Sequence, residues 1–350
     1  MERPLRKGWT TGACAAGAAK AAWAALVTGR FPDPVIVRLP RGETPSFPLN
    51  RAECGAGWAR AAVIKDAGDD PDVTHGAEVV VTVARAAPGS GVVFRAGEGV
   101  GTVTLPGLPL AVGEAAINPG PRAQIEANMA EVAAPVNAVV TVSIPRGEAL
   151  AAHTMNGRLG ILGGLSILGT TGVVIPYSCS AWIHSIHRGI DVARASGLTH
   201  VAGCTGKTSE AAIRRLHHLE ERAMLDMGGF AGALLKYMRR HPVGRLTLGG
   251  GFAKMAKLAA GATDLHSRAA AVDLKGLIGL LAELGAPPAI LAEAGRAVSA
   301  AGVLALAGDL PLAAAVARGA REAALAVLAG GVEVDVVIVD RQGRIIARAP

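Results

Sequence analysis

Apolar residues in this chain come in short blocks broken by glycine, and their spacing predicts two architectures in succession. In the first 147 residues the blocks at 34–39, 60–65, 79–85, 92–96 and 136–144 are strand-length and rich in β-branched residues. Two helices accompany them. Thr10 or Thr11 is placed to cap an alanine-rich helix over 13–27. The turn Ile117-Asn118-Pro119-Gly120-Pro121-Arg122 opens a second helix over 122–133, with Pro121 suited to the first helical position. Beyond the Pro145-Arg146-Gly147 seam, strand and helix alternate: helix 180–195, strand 198–202, turn 203–208, helices 209–222 and 228–240, strand 245–248, turn 249–251, helix 252–260. That rhythm predicts a largely parallel sheet with ligands at the carboxyl ends of its strands. Three helices near 272–284, 289–301 and 311–329 and a hairpin, 334–339 with 344–348, close the chain. The expected fold class is α+β and α/β in two domains: an α+β sandwich over 1–147, then a Rossmann-like α/β domain over 148–350.

The stretch TMNGRLGILGGLSILGTTGVVIPYS from Thr154 stands apart. No charged side chain falls between residues 159 and 183, a length that could span a bilayer. Gly163-Gly164, Thr170-Thr171 and Pro176 each weaken a continuous helix, so a spanning helix is rejected. Residues 159–162 and 172–175 read instead as short strands, with 163–171 a loop whose backbone can approach a flat or anionic ligand closely. A glycine-rich packing turn is the other reading of the same residues.

Composition narrows the chemistry. Aromatic residues make up only 3% of 350, too few for base-stacking platforms. The net charge of +7, from 35 Lys and Arg against 28 Asp and Glu, is dispersed, which suits an acidic small molecule better than nucleic acid. Cys14, Cys54, Cys179 and Cys204 show no zinc or iron–sulfur spacing and read as reduced thiols of a cytoplasmic protein. The glycines and Lys20 within 10–26 argue against a signal peptide.

Most familiar motifs are absent. Gly206-Lys207-Thr208 imitates the end of a phosphate loop, but Val201 occupies the position of its first glycine. Neither G-x-G-x-x-G nor G-x-S-x-G occurs. Asp66, Asp69, Asp70 and Asp72 lack the spacing of a calcium loop and also read as a solvated turn whose carboxylates cap their own backbone. His184/His187 and His217-His218 have no evident third ligand, and no metal site is expected.

Taken together, the series GWTTGACAAGAAKAA from Gly8, KDAGDDPDVTHG from Lys65, INPGPR from Ile117, the block from Thr154, GCTGKTSE from Gly203 and KLAAGATDLHSR from Lys257 resembles the cobalt-precorrin-5B C1-methyltransferase family of cobalamin biosynthesis. It spans residues 8–268, and beyond about 280 no such signature is seen. One departure falls at Gly250-Gly251-Phe252-Ala253-Lys254, where the family pattern is Gly-His-Ile-Gly-Lys. The resemblance implies methyl transfer from S-adenosylmethionine, as co-substrate, to ring carbon C1 of a cobalt-corrinoid, with no protein-bound metal. On that basis Gly160, Gly163, Gly164, Ser166, Thr170, Thr171, Gly203, Thr205 and Gly206 are expected to line the donor cleft. Lys7, Thr10, Thr11, Asn118, Arg122, Asn156, Arg158, His266 and Arg268 are expected around the carboxylate-rich ring, and Asp69 or Asp72 near a ring N–H. No nucleic acid or membrane partner is expected, and a homo-oligomer is open. Two alternatives stand beside this one: an ATP-dependent enzyme using residues 203–208 as a degenerate phosphate loop, and a non-enzymatic tetrapyrrole carrier.

Overall fold

The computed structural model describes residues 4–267 and 269–350, a mixed α/β chain that divides into two compact units, Met1–Cys179 and Ser180–Pro350. The division falls some thirty residues after the expected seam. The reason is local: the glycine-rich stretch pairs with strands of the first unit, so it folds there.

In chain order the first unit holds β1 (Gly8–Trp9), α1 (Thr11–Thr28), β2 (Val35–Ile36), β3 (Ser46–Phe47), β4 (Arg51–Gly55), β5 (Trp58–Ile64), β6 (Glu78–Arg85), β7 (Val92–Ala96), β8 (Thr102–Val103), α2 (Pro119–Ala130), β9 (Ala138–Ser143), α3 (Gly147–Ala151), β10 (Ile161–Leu162) and β11 (Val173–Val174). Its main sheet runs β4-β5-β6-β9-β7, antiparallel except where β7 lies parallel to β9. Strand β4, which is exposed along its length, carries no hydrophobic alternation and was not expected. Helix α1 is buried nearly all round, because alanine and glycine let neighbours approach from every side. Thr10 is its cap: Oγ1 accepts from Ala13 N at 3.1 Å. Helix α2 starts at Pro119, so that proline, not Pro121, takes the first helical position.

The glycine-rich stretch is mostly extended coil. Antiparallel pairs β10–β8 and β11–β1 pin its ends, and isolated bridges join Leu165 to Val100 and Ile167 to Ile117. Ile161, Leu165 and Ile167 are buried while Leu162, Leu168 and Ile175 are exposed, so only one side of it feeds the core. The expected strands 159–162 and 172–175 shrink to two residues each, since a 3-10 turn occupies Gly157–Leu159 and tight glycine turns take the rest.

The second unit holds α4 (Cys179–Ala195), β12 (His200–Cys204), α5 (Lys207–His217), β13 (Met224–Asp226), α6 (Ala231–Arg240), β14 (Arg245–Gly251), α7 (Phe252–Ala259), α8 (Leu274–Glu283), α9 (Pro288–Ala294), α10 (Ala300–Leu306), α11 (Leu312–Leu328), β15 (Glu333–Val339) and β16 (Ile345–Ala349). Its sheet is ordered β13-β12-β14-β15-β16, parallel apart from the antiparallel last strand. Val201, Leu246, Leu248, Val336 and Ile338 point into a core shared with α6, α7 and α11. Ala202, Cys204, Val337 and Val339 face α5 on the other side. With both faces covered, the strands are mostly apolar, the buried exceptions being Thr247 in β14 and Asp335 in β15.

Four expectations change here. Gly203 lies inside β12, and Gly249–Gly251 belong to β14, paired to Val337, Ile338 and Val339; none of these is a turn. A Cβ on Gly249 would stand 2.1 Å from Ile213 Cδ1, so the missing side chain admits α5 against the sheet. Helix α5 stops at His217, where His218 turns left-handed at φ 53°, leaving room for the unforeseen β13. The helix expected over 289–301 is two helices, the second capped by Ser299.

Candidate functional site

In a sheet ordered 2-1-3, the strands on either side of the first leave in opposite directions and a crevice opens at their carboxyl ends. Here that switch point lies between β12 and β14. Only Thr205 and Gly206 separate β12 from α5, too short a loop to wrap a triphosphate; the phosphate-loop reading of residues 203–208 is therefore not supported. Gly206 is extended and a Cβ there would meet nothing within 4 Å, so its backbone borders open space. Gly203 differs: a Cβ would meet Leu234 Cδ1 at 2.7 Å, and its role is packing. Gly250 lets Thr205 close in, with Thr205 Oγ1 2.7 Å from where its Cβ would stand.

Three residues not singled out from the sequence gather at this end. Lys254, in the first turn of α7, donates to Thr205 O at 3.1 Å and Gly228 O at 3.5 Å, tying the loops after β12 and β13 together. Burial pushes its ammonium below the usual lysine range, against the pull of Asp226, with Lys257 adding to the depression. Trp182 donates to Asp226 O at 2.8 Å and covers Gly228, where a Cβ would come within 2.9 Å of the ring. Asp226 itself ends β13. A lysine three residues past a glycine-ended strand was a visible signal, but only the strand order makes those ends converge. His266 does arrive nearby: Leu265 N donates to Gly229 O at 2.7 Å, and buried Lys257 holds Leu265 O at 3.2 Å. Arg268 lies outside the described residues.

In the first unit most of the expected donor glycines serve packing. A Cβ on Gly160 would meet Leu105 Cγ at 2.4 Å, and one on Gly164 would meet the Gly99 backbone at 2.3 Å. Gly163 alone of the three opens outward, at φ +82° with nothing within 4 Å. Buried Asn156 braces the loop: it donates to Gly164 O at 3.2 Å and accepts from Ser166 Oγ at 3.2 Å. Thr170 is exposed and Thr171 caps Val173 N at 3.2 Å. Thr11 is buried in α1; Lys7 is exposed; Arg158 is half-buried in the 3-10 turn; Asn118 precedes α2 without a side-chain cap.

The geometry recasts the expected carboxylate holders. Arg122 turns back to donate to Ile117 O at 2.7 Å and Ala115 O at 3.3 Å, pairs with Glu114 at 3.4 Å, and lies over Phe94, so it clamps the turn before α2. The aspartates are staples of the same kind. Asp66 pairs with Arg6, whose hydrogen bond holds its carboxyl down to about 2. Asp69 accepts from Arg6 N at 2.6 Å, and Asp70 from Tyr177 N at 2.8 Å. Asp72 meets buried Lys65 and Thr74; burial alone would raise it, but the ammonium wins and holds it below the usual carboxylate range. Asp66 and Asp72 also cap Gly68 N and Thr74 N, as a self-capping turn requires.

At the amino-terminal end of the second unit's sheet, Asp335 is 1% exposed. Thr247 donates to its Oδ1, while Oδ2 meets Arg348 at 3.2 Å, Arg245 at 3.6 Å and His217 Nε2 at 3.3 Å, the last without hydrogen-bond geometry. His200 Nε2 lies 2.8 Å from Thr247 Oγ1. The ligand atoms of His200, His217 and Asp335 lie within 4.8 Å of one another, but two guanidiniums already neutralise the carboxylate.

A sheet with a topological switch point in the second unit, and a glycine-braced stretch with exposed apolar residues in the first, each suit a small-molecule ligand. The chain belongs to the CbiD family: the family model matches residues 1–176, and the model of the CbiD C-terminal domain matches 264–350. The second match corrects the expectation that nothing beyond about 280 carries a signature. Cobalt-precorrin-5B C(1)-methyltransferase of Paramagnetospirillum magneticum is 59% identical, with 99% of each chain covered. The proteins of that name from Rhodospirillum rubrum and Brucella anthropi are 58% identical (98% of this chain, 97% of that one) and 56% identical (98% and 95%). A crystal structure of the cobalamin biosynthesis protein cbiD from Archaeoglobus fulgidus aligns at 28% identity over 76% of this chain and 83% of that one, with TM-score 0.40. No helix among the described residues is long and apolar enough to cross a membrane.

Proposed function

We propose that this chain transfers a methyl group from S-adenosylmethionine to C1 of cobalt-precorrin-5B, as a cytoplasmic enzyme of cobalamin biosynthesis. The observation that carries this reading is identity of 56–59% over nearly the whole length to proteins named for that activity. The second unit is read as a Rossmann-like donor domain, with Thr205, Gly206 and His266 at its switch point. The first unit is read as part of the corrinoid site, offering exposed Leu162, Leu168, Ile175 and Tyr177 to the macrocycle and Lys7 and Arg158 to its carboxylates.

Methyl transfer is an in-line displacement in which the acceptor carbon attacks the sulfonium methyl and the thioether leaves. Such a step gains chiefly from holding the partners in line with water excluded. No nucleophile of the protein enters that step. Anaerobic incubation with the corrinoid precursor and methyl-labelled S-adenosylmethionine tests the reading by mass spectrometry. One labelled methyl on the ring is the expected product; a corrinoid that binds but gains no methyl makes the protein a carrier.

A further inference from the structure

We infer that Lys254 binds the carboxylate of the donor's amino-acid end, and so sets which way the sulfonium points. The inference rests on the donor site being at the β12/β14 switch point. Lys254 Nζ stands between the carbonyls of Thr205 and Gly228, at 3.1 and 3.5 Å, beside the two strand ends that border the open space at Gly206. An ammonium has three N–H donors, and these carbonyls take two. Asp226 offsets part of the charge of this half-buried ammonium, and Lys257 adds to the positive field. That third N–H suits an anion.

The donor carries a cationic sulfonium and, at its amino-acid end, a carboxylate beside an α-ammonium. Its sulfonium is repelled by a nearby ammonium, whereas its carboxylate gains a charge-assisted hydrogen bond. Lys254 therefore takes the carboxylate and turns the sulfonium methyl away from itself. A nucleoside thioether without the amino-acid end would lose nothing at this position.

Calorimetric titration with S-adenosylhomocysteine and with 5′-methylthioadenosine, which lacks that end, tests the assignment. For wild type, S-adenosylhomocysteine binds more tightly. Lys254→Met weakens it about 10- to 100-fold and leaves 5′-methylthioadenosine unchanged, closing the gap; Lys254→Arg keeps part of it. A Lys254→Met protein that binds S-adenosylhomocysteine as wild type does, or loses both ligands equally, overturns the assignment and leaves the donor site standing. Wild type that binds neither ligand overturns the donor-site reading itself. If Lys254→Met does not fold, the wild-type pH profile decides. The preference for S-adenosylhomocysteine falls as rising pH deprotonates the lysine, earlier than an ordinary lysine would, and a constant ratio overturns the assignment.

Discussion

The two ends of the second unit's sheet are built from the same strands and could hardly differ more in their polar chemistry. At the amino end, Asp335 is enclosed by Thr247, His217, Arg245 and Arg348, and every oxygen of the carboxylate has partners. At the carboxyl end, the hydrogen bonds of Lys254 among the described residues go to two carbonyls, and Gly206 borders empty space. A carboxylate whose oxygens are both taken contributes stability and has little left to offer a ligand; a lysine held by two neutral carbonyls keeps an N–H to offer. Position along a parallel strand thus separates scaffold from site.

The sharpest way to break this contrast is at Asp335. Asp335→Ala leaves two guanidiniums and Thr247 facing a void. It should cost about 2–4 kcal/mol in urea unfolding, the lower end applying because both arginines reach solvent, while donor affinity in the folded fraction stays unchanged. A next, smaller effect is expected from Gly250→Ala at the opposite end. The new methyl would meet Thr205 Oγ1 at 2.7 Å and Met255 Cε at 2.8 Å. Overpacking of this kind costs about 1–3 kcal/mol, and here S-adenosylhomocysteine affinity should fall with it; stability lost without any change in affinity would count against a donor site.

Acid sharpens the comparison further. Burial, with neighbouring His217 and Arg245, holds the His200 imidazole down to about 4. The unfolded chain therefore binds a proton that the native state refuses between the ordinary histidine value and pH 4, so stability is lost as pH falls through that window and levels off below it. With the group half-exposed, the loss is about 1 kcal/mol. His200→Gln should flatten the slope of melting temperature against pH from 7 to 4, and an unchanged slope would remove His200 from the account. The smallest change in stability is expected at Gly206→Ala, within about 0.5 kcal/mol, because the added methyl touches no protein atom. Donor affinity should nevertheless drop as the methyl enters the space assigned to the ligand.

Much of this was legible beforehand. The alanine run behind Thr10 became α1, the β-branched blocks became β6, β7 and β9, and the terminal hairpin is β15 with β16. Glycine deceived. Gly249–Gly251 read as a turn because glycine punctuates loops, yet they continue β14, since Ile213 and Thr205 need the space their side chains would fill. Gly160, Gly163 and Gly164 read as ligand-facing, yet Gly160 and Gly164 accommodate Leu105 and Gly99 of the protein itself. Arg122 read as a free charge, and the fold pairs it with Glu114; the aspartates do cap their own turn as read, but their partners Arg6 and Lys65 were not legible.

What the residues alone determine is what depends on neighbours in the chain: helix caps, periodicity, the absence of a spanning helix, and the series of short motifs by which the family is identified. Strand order, the partners of each charge and the occupant of each glycine's empty side are set by segments tens to hundreds of residues apart, and no local pattern encodes those distances. Asp335 and Arg245 are far apart along the chain and 3.6 Å apart in space. For that reason Lys254, at the junction of three strand ends, became visible as a ligand contact only once the sheet was assembled.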